Sequence, residues 1–196
     1  MVNGAQQIHT PVLLDEVLKY LQPGPDGIYV DGTLGLGGHS EAILKASGPT
    51  GKVIAFDWDE GAIALAGQRL ESFGDRVVII RRNFADLAEG LNELGIEEID
   101  GLLVDIGLSS LQLDRGRRGF SFLRDEPLDM RMDNRRKVTA ASLVARCTAE
   151  ELADIFYYYG EEKQARRIAA EIVQVRKKDA ITTSKQLAEI IVKAIP

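Results

Sequence analysis

The sequence predicts an α/β protein in which a parallel sheet alternates with helices and is followed by a segment that is helical throughout. Three observations carry that prediction. Four short apolar runs alternate with helical patterns, and the loops that end them bear Asp31, Asp57, Phe84 and Asp105. The first run hands over to a helix through Gly32, Gly35, Gly37 and Gly38, a loop with few side chains. After Leu113 the alternation stops and only helical spacing remains.

Taken in order, residues 9–22 place Val12, Leu13, Val17 and Leu21 near helical spacing, with Thr10 as N-cap and Pro11 at the first helical position. His9 reads as a terminal surface residue. Residues 28–31 are the first expected strand, and residues 40–46 the helix after the glycine loop, closed by Ser47-Gly48-Pro49. Residues 52–56 are the second strand, ending on Asp57, and residues 60–72 the next helix. Residues 77–80 are the third strand, 87–94 its helix and 99–104 the fourth strand. In a parallel sheet all four carboxyl ends lie on one edge, where ligands bind.

Residues 114–137 are rich in Arg, Asp and Gly, a poor core former and an expected surface loop. Helices are expected over 139–146, 149–159, 161–178 and on to 195, with capping boxes at Thr148/Glu151 and Thr183/Gln186. In the third of these Ile168, Ile172 and Val175 share a face, which leaves Arg166, Arg167, Arg176, Lys177 and Lys178 to solvent. Tyr157, Tyr158 and Tyr159 offer rings for stacking on bases, but helical spacing turns at least one toward the core. The organisation is therefore two parts, residues 1–114 and 115–196.

Composition excludes several classes. No apolar run approaches the length of a membrane span, and the N-terminus lacks an apolar signal core. A lone cysteine, Cys147, forms no internal disulfide and reads as a buried, inert residue; with the missing span it points to a cytoplasmic protein. No zinc spacing, no Ser-His-Asp order and no P-loop lysine is present, so no metal is expected. The net charge of −6 argues against a protein that coats nucleic acid by bulk electrostatics. The charge is uneven, however: residues 115–137 hold eight basic side chains against four acids. That is either a solvated loop or a phosphate contact.

The candidate site is the strand edge. The glycine loop lets a ligand press on the backbone, and the helix behind it offers free N–H groups. Asp57 follows Gly37 by twenty residues, where a βαβ unit presents a carboxylate to ribose hydroxyls; the competing role is a helix N-cap. Phe84 either stacks on an adenine or plugs the core, and Asp86 either bonds an adenine amine or caps a helix. His39, at the mouth of the helix, suits a ligand carboxylate. Ribose, adenine and an amino-acid tail together fit S-adenosylmethionine. A dinucleotide would bring its diphosphate against Asp31 and Asp105, whereas a sulfonium and an α-amino group welcome those acids.

The segments HTPVLLDEVL, DGTLGLGGHS, NFADL, DGLLVDIGLSSLQLD, RGFSF, PLDMRMD and YGEEKQARRIA, in this order, resemble the bacterial small-subunit ribosomal RNA cytosine-N4 methyltransferases of the RsmH (MraW) type. The resemblance runs from His9 to the C-terminus. It implies a Rossmann-like class I methyltransferase sheet with a helical substrate-recognition subdomain, and S-adenosylmethionine as cofactor. It also implies methyl transfer to a cytosine N4 in ribosomal RNA of the small subunit. Carried over by motif, Gly37, Gly38, His39, Asp57, Phe84, Asp105 and Gln112 would contact the cofactor, Gln112 on the resemblance alone. Asp105 and Ser109 are the candidates to accept the amine proton, Ser109 being equally placed for turn chemistry. Arg115, Arg117 and Arg118, with the rest of the segment to Lys137 and the basic face of the third helix, would hold the RNA backbone. Leu111 and Trp58 depart from the usual family pattern without removing a ligand group. Family members continue past the position of Pro196 with a segment that completes the sheet, so an incomplete sheet is expected here. Two other readings remain: a cofactor- or RNA-binding fragment without catalysis, and a nicotinamide oxidoreductase. The oligomeric state is open.

Overall fold

The computed structural model describes residues 11–108, 112–113 and 117–195. The chain divides into two compact units, Met1–Gly107 and Leu108–Pro196.

In the first unit β1 (Ile28–Asp31), β2 (Lys52–Asp57), β3 (Val77–Arg81) and β4 (Gly101–Leu103) form a parallel sheet in the order β3-β2-β1-β4. The order reverses between β1 and β4, as in doubly wound folds, and the loop after β1 lies at that switch point. Alternation along the strands builds two cores. Tyr29, Val53 and Ala55 face one side, with Ile43 and Leu44 of α2 (Gly38–Ala46) and Ala66 and Leu70 of α3 (Glu60–Leu70). Val30, Ile54 and Phe56 face the other, with Leu91 of α4 (Leu87–Glu93). Leu102 on β4 shares that second face and is half exposed. Among the described residues β3 and β4 are the edge strands of the sheet.

Several boundaries differ from the sequence reading; β4 covers Gly101–Leu103 instead of 99–104, and α2 begins at Gly38 instead of 40. α1 runs Leu14–Leu21, and Pro11 lies outside it; Thr10 falls outside the described residues. Leu13 takes the left-handed conformation at its N-cap (φ 52°), and Pro11 and Val12 just ahead of it lie against the first turn of α2. There a Cβ on Gly38 would sit 2.4 Å from Pro11 Cγ. α3 stops at Leu70 and a 3-10 turn, Glu71–Arg76, carries the chain to β3. Asp86 caps no helix with its side chain; Asn83 does that work, accepting the Ala85 N–H ahead of the turn Phe84–Asp86.

The second unit is helical: α5 (Ala140–Arg146), α6 (Ala149–Gly160), α7 (Ala165–Val175) and α8 (Ser184–Ala194). Both expected capping boxes form, and a third joins Thr139 to Ser142. Leu152, Ile168, Ala169, Ile172 and Ile190 make the core. α7 is shorter than its spacing suggests, because Glu161 is left-handed and ends α6 with a reversal. Two expectations are corrected here. Arg176 is not given over to solvent but donates Nη1 to the Val144 carbonyl (2.6 Å). None of the three tyrosines turns inward, since Phe156 already fills that position. Cys147 is half-buried at the end of α5.

The basic segment is not a simple surface loop. Leu128 is fully buried in the helical core, its N–H donating to the Thr182 carbonyl (2.8 Å). Gly119 sits at φ +77° with its N–H on Glu126, and a Cβ there would lie 2.5 Å from the Pro127 carbonyl oxygen. Gly119→Ala therefore meets both left-handed strain and a backbone clash. It is expected to destabilise the second unit by about 1–3 kcal/mol. Urea denaturation followed by helical circular dichroism measures this, and an unchanged midpoint would contradict it.

Candidate cofactor site and arginine segment

The site begins with how the glycine loop is held. β1 ends on Asp31, which is fully buried; its Oδ1 accepts the Thr33 N–H (3.1 Å) and its Oδ2 the Ser40 hydroxyl (2.7 Å). The loop is then stitched to its neighbours. Gly32 N–H donates to the Leu103 carbonyl (2.8 Å) and Leu34 N–H to the Phe56 carbonyl (2.9 Å). Gly35 N–H donates to Asp57 Oδ2 (2.8 Å). The Thr33 hydroxyl accepts the Asp105 N–H (2.7 Å) and so fixes the backbone after β4. Gly37, at φ +77°, is the N-cap of α2, and a Cβ there would crowd Ala66 and Leu70.

Asp57 is not a helix cap. Asp59 caps α3 through the Gly61 N–H (3.0 Å), while Asp57 Oδ1 accepts the Asp59 N–H (2.9 Å). Both Asp57 oxygens thus hold backbone N–H groups, and the carboxylate remains only partly buried. Burial pushes its carboxyl above the ordinary range. His39 is buried, and its Nε2 donates to the Val12 carbonyl (2.9 Å), since a carbonyl can only accept. In the neutral ring Nδ1 is then an acceptor, which suits a ligand amine and not the carboxylate expected from the sequence. Phe84 is exposed rather than a core plug, with its Cβ beside Gly32, where a Cβ would lie 3.2 Å away. Asp105 is exposed.

This donor set suits a ligand with hydroxyls, an aromatic ring and a carboxylate. Asp57 offers two acceptor oxygens, Phe84 a ring face, and the first turn of α2 its free N–H groups. Asp31, in contrast, has no surface to offer a ligand. Thr33, Ser40 and the Val12 carbonyl were not foreseen. Among the described residues no cluster of His, Cys, Asp and Glu could hold a metal ion.

Gln112 is buried and belongs to the second unit. Ser109 and Arg115 lie outside the described residues. Arg117 is exposed and left-handed (φ 45°). Arg118 holds the segment together: Nη1 donates to the carbonyls of Arg131 (2.9 Å) and Met132 (3.2 Å), with the guanidinium 5.4 Å from the Phe120 ring. Other arginines are also engaged. Arg131 grips Asp129 through Nε (2.8 Å) and Nη2 (2.7 Å), and Arg135 grips Asp133 through the same atoms (2.9 and 2.7 Å). In both pairs the acid also accepts the backbone N–H of its arginine, a turn closed by an Asp-x-Arg spacing. The Arg131 guanidinium holds the Asp129 carboxyl below its ordinary range. Arg124 pairs with the buried Glu126 and also donates to the Leu113 carbonyl.

Burial raises the Asp31 carboxyl above its ordinary value of 3.8. A carboxyl raised in the folded state contributes stability below its unfolded pKa and loses it as pH climbs through the folded one. Asp31→Asn keeps an oxygen for Thr33 and an amide for Ser40, without a charge to bury. Its stability is therefore expected to gain on the parent protein as pH rises from the acid range to neutrality, as read by urea titration at each pH. A constant gap between the two would refute the assignment.

The model of the MraW methylase family matches residues 6–196. A protein named Ribosomal RNA small subunit methyltransferase H from Desulfotalea psychrophila is 58% identical over 192 residues, 98% of this chain and 65% of that one. A protein of the same name from Geotalea daltonii is 54% identical over 188 residues, 96% of this chain and 60% of that one. The chain thus spans less than two thirds of the length of these relatives. A crystal structure of a SAM-dependent O-methyltransferase from Thermotoga maritima shares 27% identity over 51% of this chain and 36% of its own, with a TM-score of 0.40. By sequence over nearly its whole length, the chain is a member of the MraW methylase family.

Proposed function

We propose that this chain forms the S-adenosylmethionine-binding and RNA-recognising parts of a methyltransferase that modifies a cytosine N4 in small-subunit ribosomal RNA. Residues 1–114 bind the cofactor and residues 115–196 the RNA. The observation that carries the reading is the stitched glycine loop, with Asp57 beside it and Phe84 and Asp105 on the neighbouring strand ends. The names of the relatives support the ribosomal substrate.

The cofactor supplies an electrophilic methyl group on a sulfonium. The remaining work falls to the protein. Asp57 accepts the ribose hydroxyls, Phe84 covers the base, and Gly37, Gly38 and His39 receive the amino-acid tail. Gln112 joins this set on the family resemblance. The cytosine amine is a weak nucleophile, because its lone pair is delocalised into the ring. Positioning it is therefore the main requirement, and the target base has to leave its stack. Asp105, whose backbone Thr33 fixes, accepts the N4–H so that the nitrogen can pyramidalise and lose its proton. Ser109 is the second candidate for that role. Arg115, Arg117 and Arg118 serve the RNA strand, Arg118 through the shape of the segment it braces.

Calorimetric titration of this chain with S-adenosylmethionine is expected to show binding, weakened about 10- to 100-fold in Asp57→Ala by loss of charge-assisted bonds. NAD is expected not to bind; binding of NAD alone would favour an oxidoreductase instead. Methyl incorporation into small-subunit rRNA is expected, falling at least about 100-fold in Asp105→Ala. A folded chain that binds cofactor and RNA yet transfers no methyl group would be a non-catalytic binding unit.

A further inference from the structure

Tyr157, Tyr158 and Tyr159 end α6 and take no part in the core beneath it. Their side chains are 57%, 71% and 87% exposed, while Phe156 supplies the inward contact. Successive helical residues turn by about 100°, so the three rings fan around the outer side of the helix end. Tyr157 and Tyr158 are set edge to face, with centroids 5.2 Å apart. Among the described residues none of the three hydroxyls has a partner within the protein.

Glu161 then reverses the chain, and Glu162 spends an oxygen on the Gln164 N–H (2.6 Å). Lys163, Arg166 and Arg167 follow within the same turn and first turn of α7, all exposed. Among the described residues none of these three cations has a carboxylate partner, unlike the arginines of the Asp-x-Arg turns. The unit they belong to is itself basic, with seventeen Lys and Arg against thirteen Asp and Glu, whereas the first unit has seven against seventeen. Glu161 is the acid that the connection leaves beside them.

Exposed π-faces next to unpaired cations match one polymer: a polyanion whose flat groups are free to stack. A duplex hides those faces, and an acidic peptide lacks a flat group on every charged unit. We propose that the end of α6 and the start of α7 form a stacking platform for unpaired bases of an RNA strand. Tyr158 and Tyr159 supply the faces, and Lys163, Arg166 and Arg167 the phosphate contacts. The proposal rests on the RNA-acting reading above and adds a site to it.

Fluorescence anisotropy of the full chain with a labelled single-stranded RNA, against the same sequence as a duplex, tests it. The native chain should prefer the single strand. Replacing both Tyr158→Leu and Tyr159→Leu should weaken that binding about tenfold or more, while Tyr158→Phe with Tyr159→Phe should leave it within about twofold. Affinity should fall less steeply with salt in Arg166→Gln/Arg167→Gln, and as steeply as in the native chain in the leucine pair. Circular dichroism checks that each variant is folded. Equal losses in the leucine and phenylalanine pairs, or none in either, would overturn the proposal. So would a native chain that binds no single strand, or leucine variants that change only self-association or protein binding. S-adenosylmethionine binding and methyl transfer are read separately, so failure of the platform leaves the methyltransferase reading standing.

Discussion

The site depends on buried and half-buried carboxylates that accept backbone N–H groups from the glycine loop. A loop of this composition has little side-chain contact to define its shape, and glycine carries a large entropic cost on ordering. Asp31 and Asp57 offset that cost from two adjacent strands, one from within the core and one at the edge. Their environments differ in a way that separates their roles. Asp31 accepts from Thr33 and Ser40 and is fully buried, while Asp57 accepts from Gly35 and Asp59 and is only partly buried. Two acids at equivalent strand ends thus become a brace and a ligand candidate.

The second unit solves a different problem, that of keeping a segment dense in arginine ordered. It does so by pairing cations with acids two residues away and by capping carbonyls with guanidinium groups. Three of the segment's arginines, Arg124, Arg131 and Arg135, are thus paired with acids inside it. Among the described residues, Lys163, Arg166 and Arg167 at the turn between α6 and α7 have no carboxylate partner. Net charge and available charge are different quantities, and recognition of an anion draws on the latter.

Much of this was legible in the residues. The run ending at Asp57 and its spacing from Gly37 placed the second strand and its acid, because parallel strands are continuous apolar runs with a punctuated end. The capping boxes at Thr148 and Thr183 were readable because they are local hydrogen-bond patterns. What was not legible was pairing at a distance. Nothing in the spacing of Asp31 says that Ser40 closes over it, and nothing near Pro11 says that α1 starts late to let Val12 reach His39. The Asp-x-Arg turns were the missed signal. They are local and recur at Asp129 and Asp133, yet a count of charges merges them into one basic segment.

The bond between Thr33 and Asp105 spans 72 positions of sequence, and Gly32 reaches Leu103 over a similar stretch. The loop therefore takes its final shape only after the last strand has docked beside the first. During synthesis the glycine residues emerge early but stay unshaped until β4 is made and placed, since non-local pairings form late. The shape of the candidate site thus depends on the end of the first unit and not on its opening βα turn alone. A nascent chain stopped after β3 would carry the recognisable motif without the site.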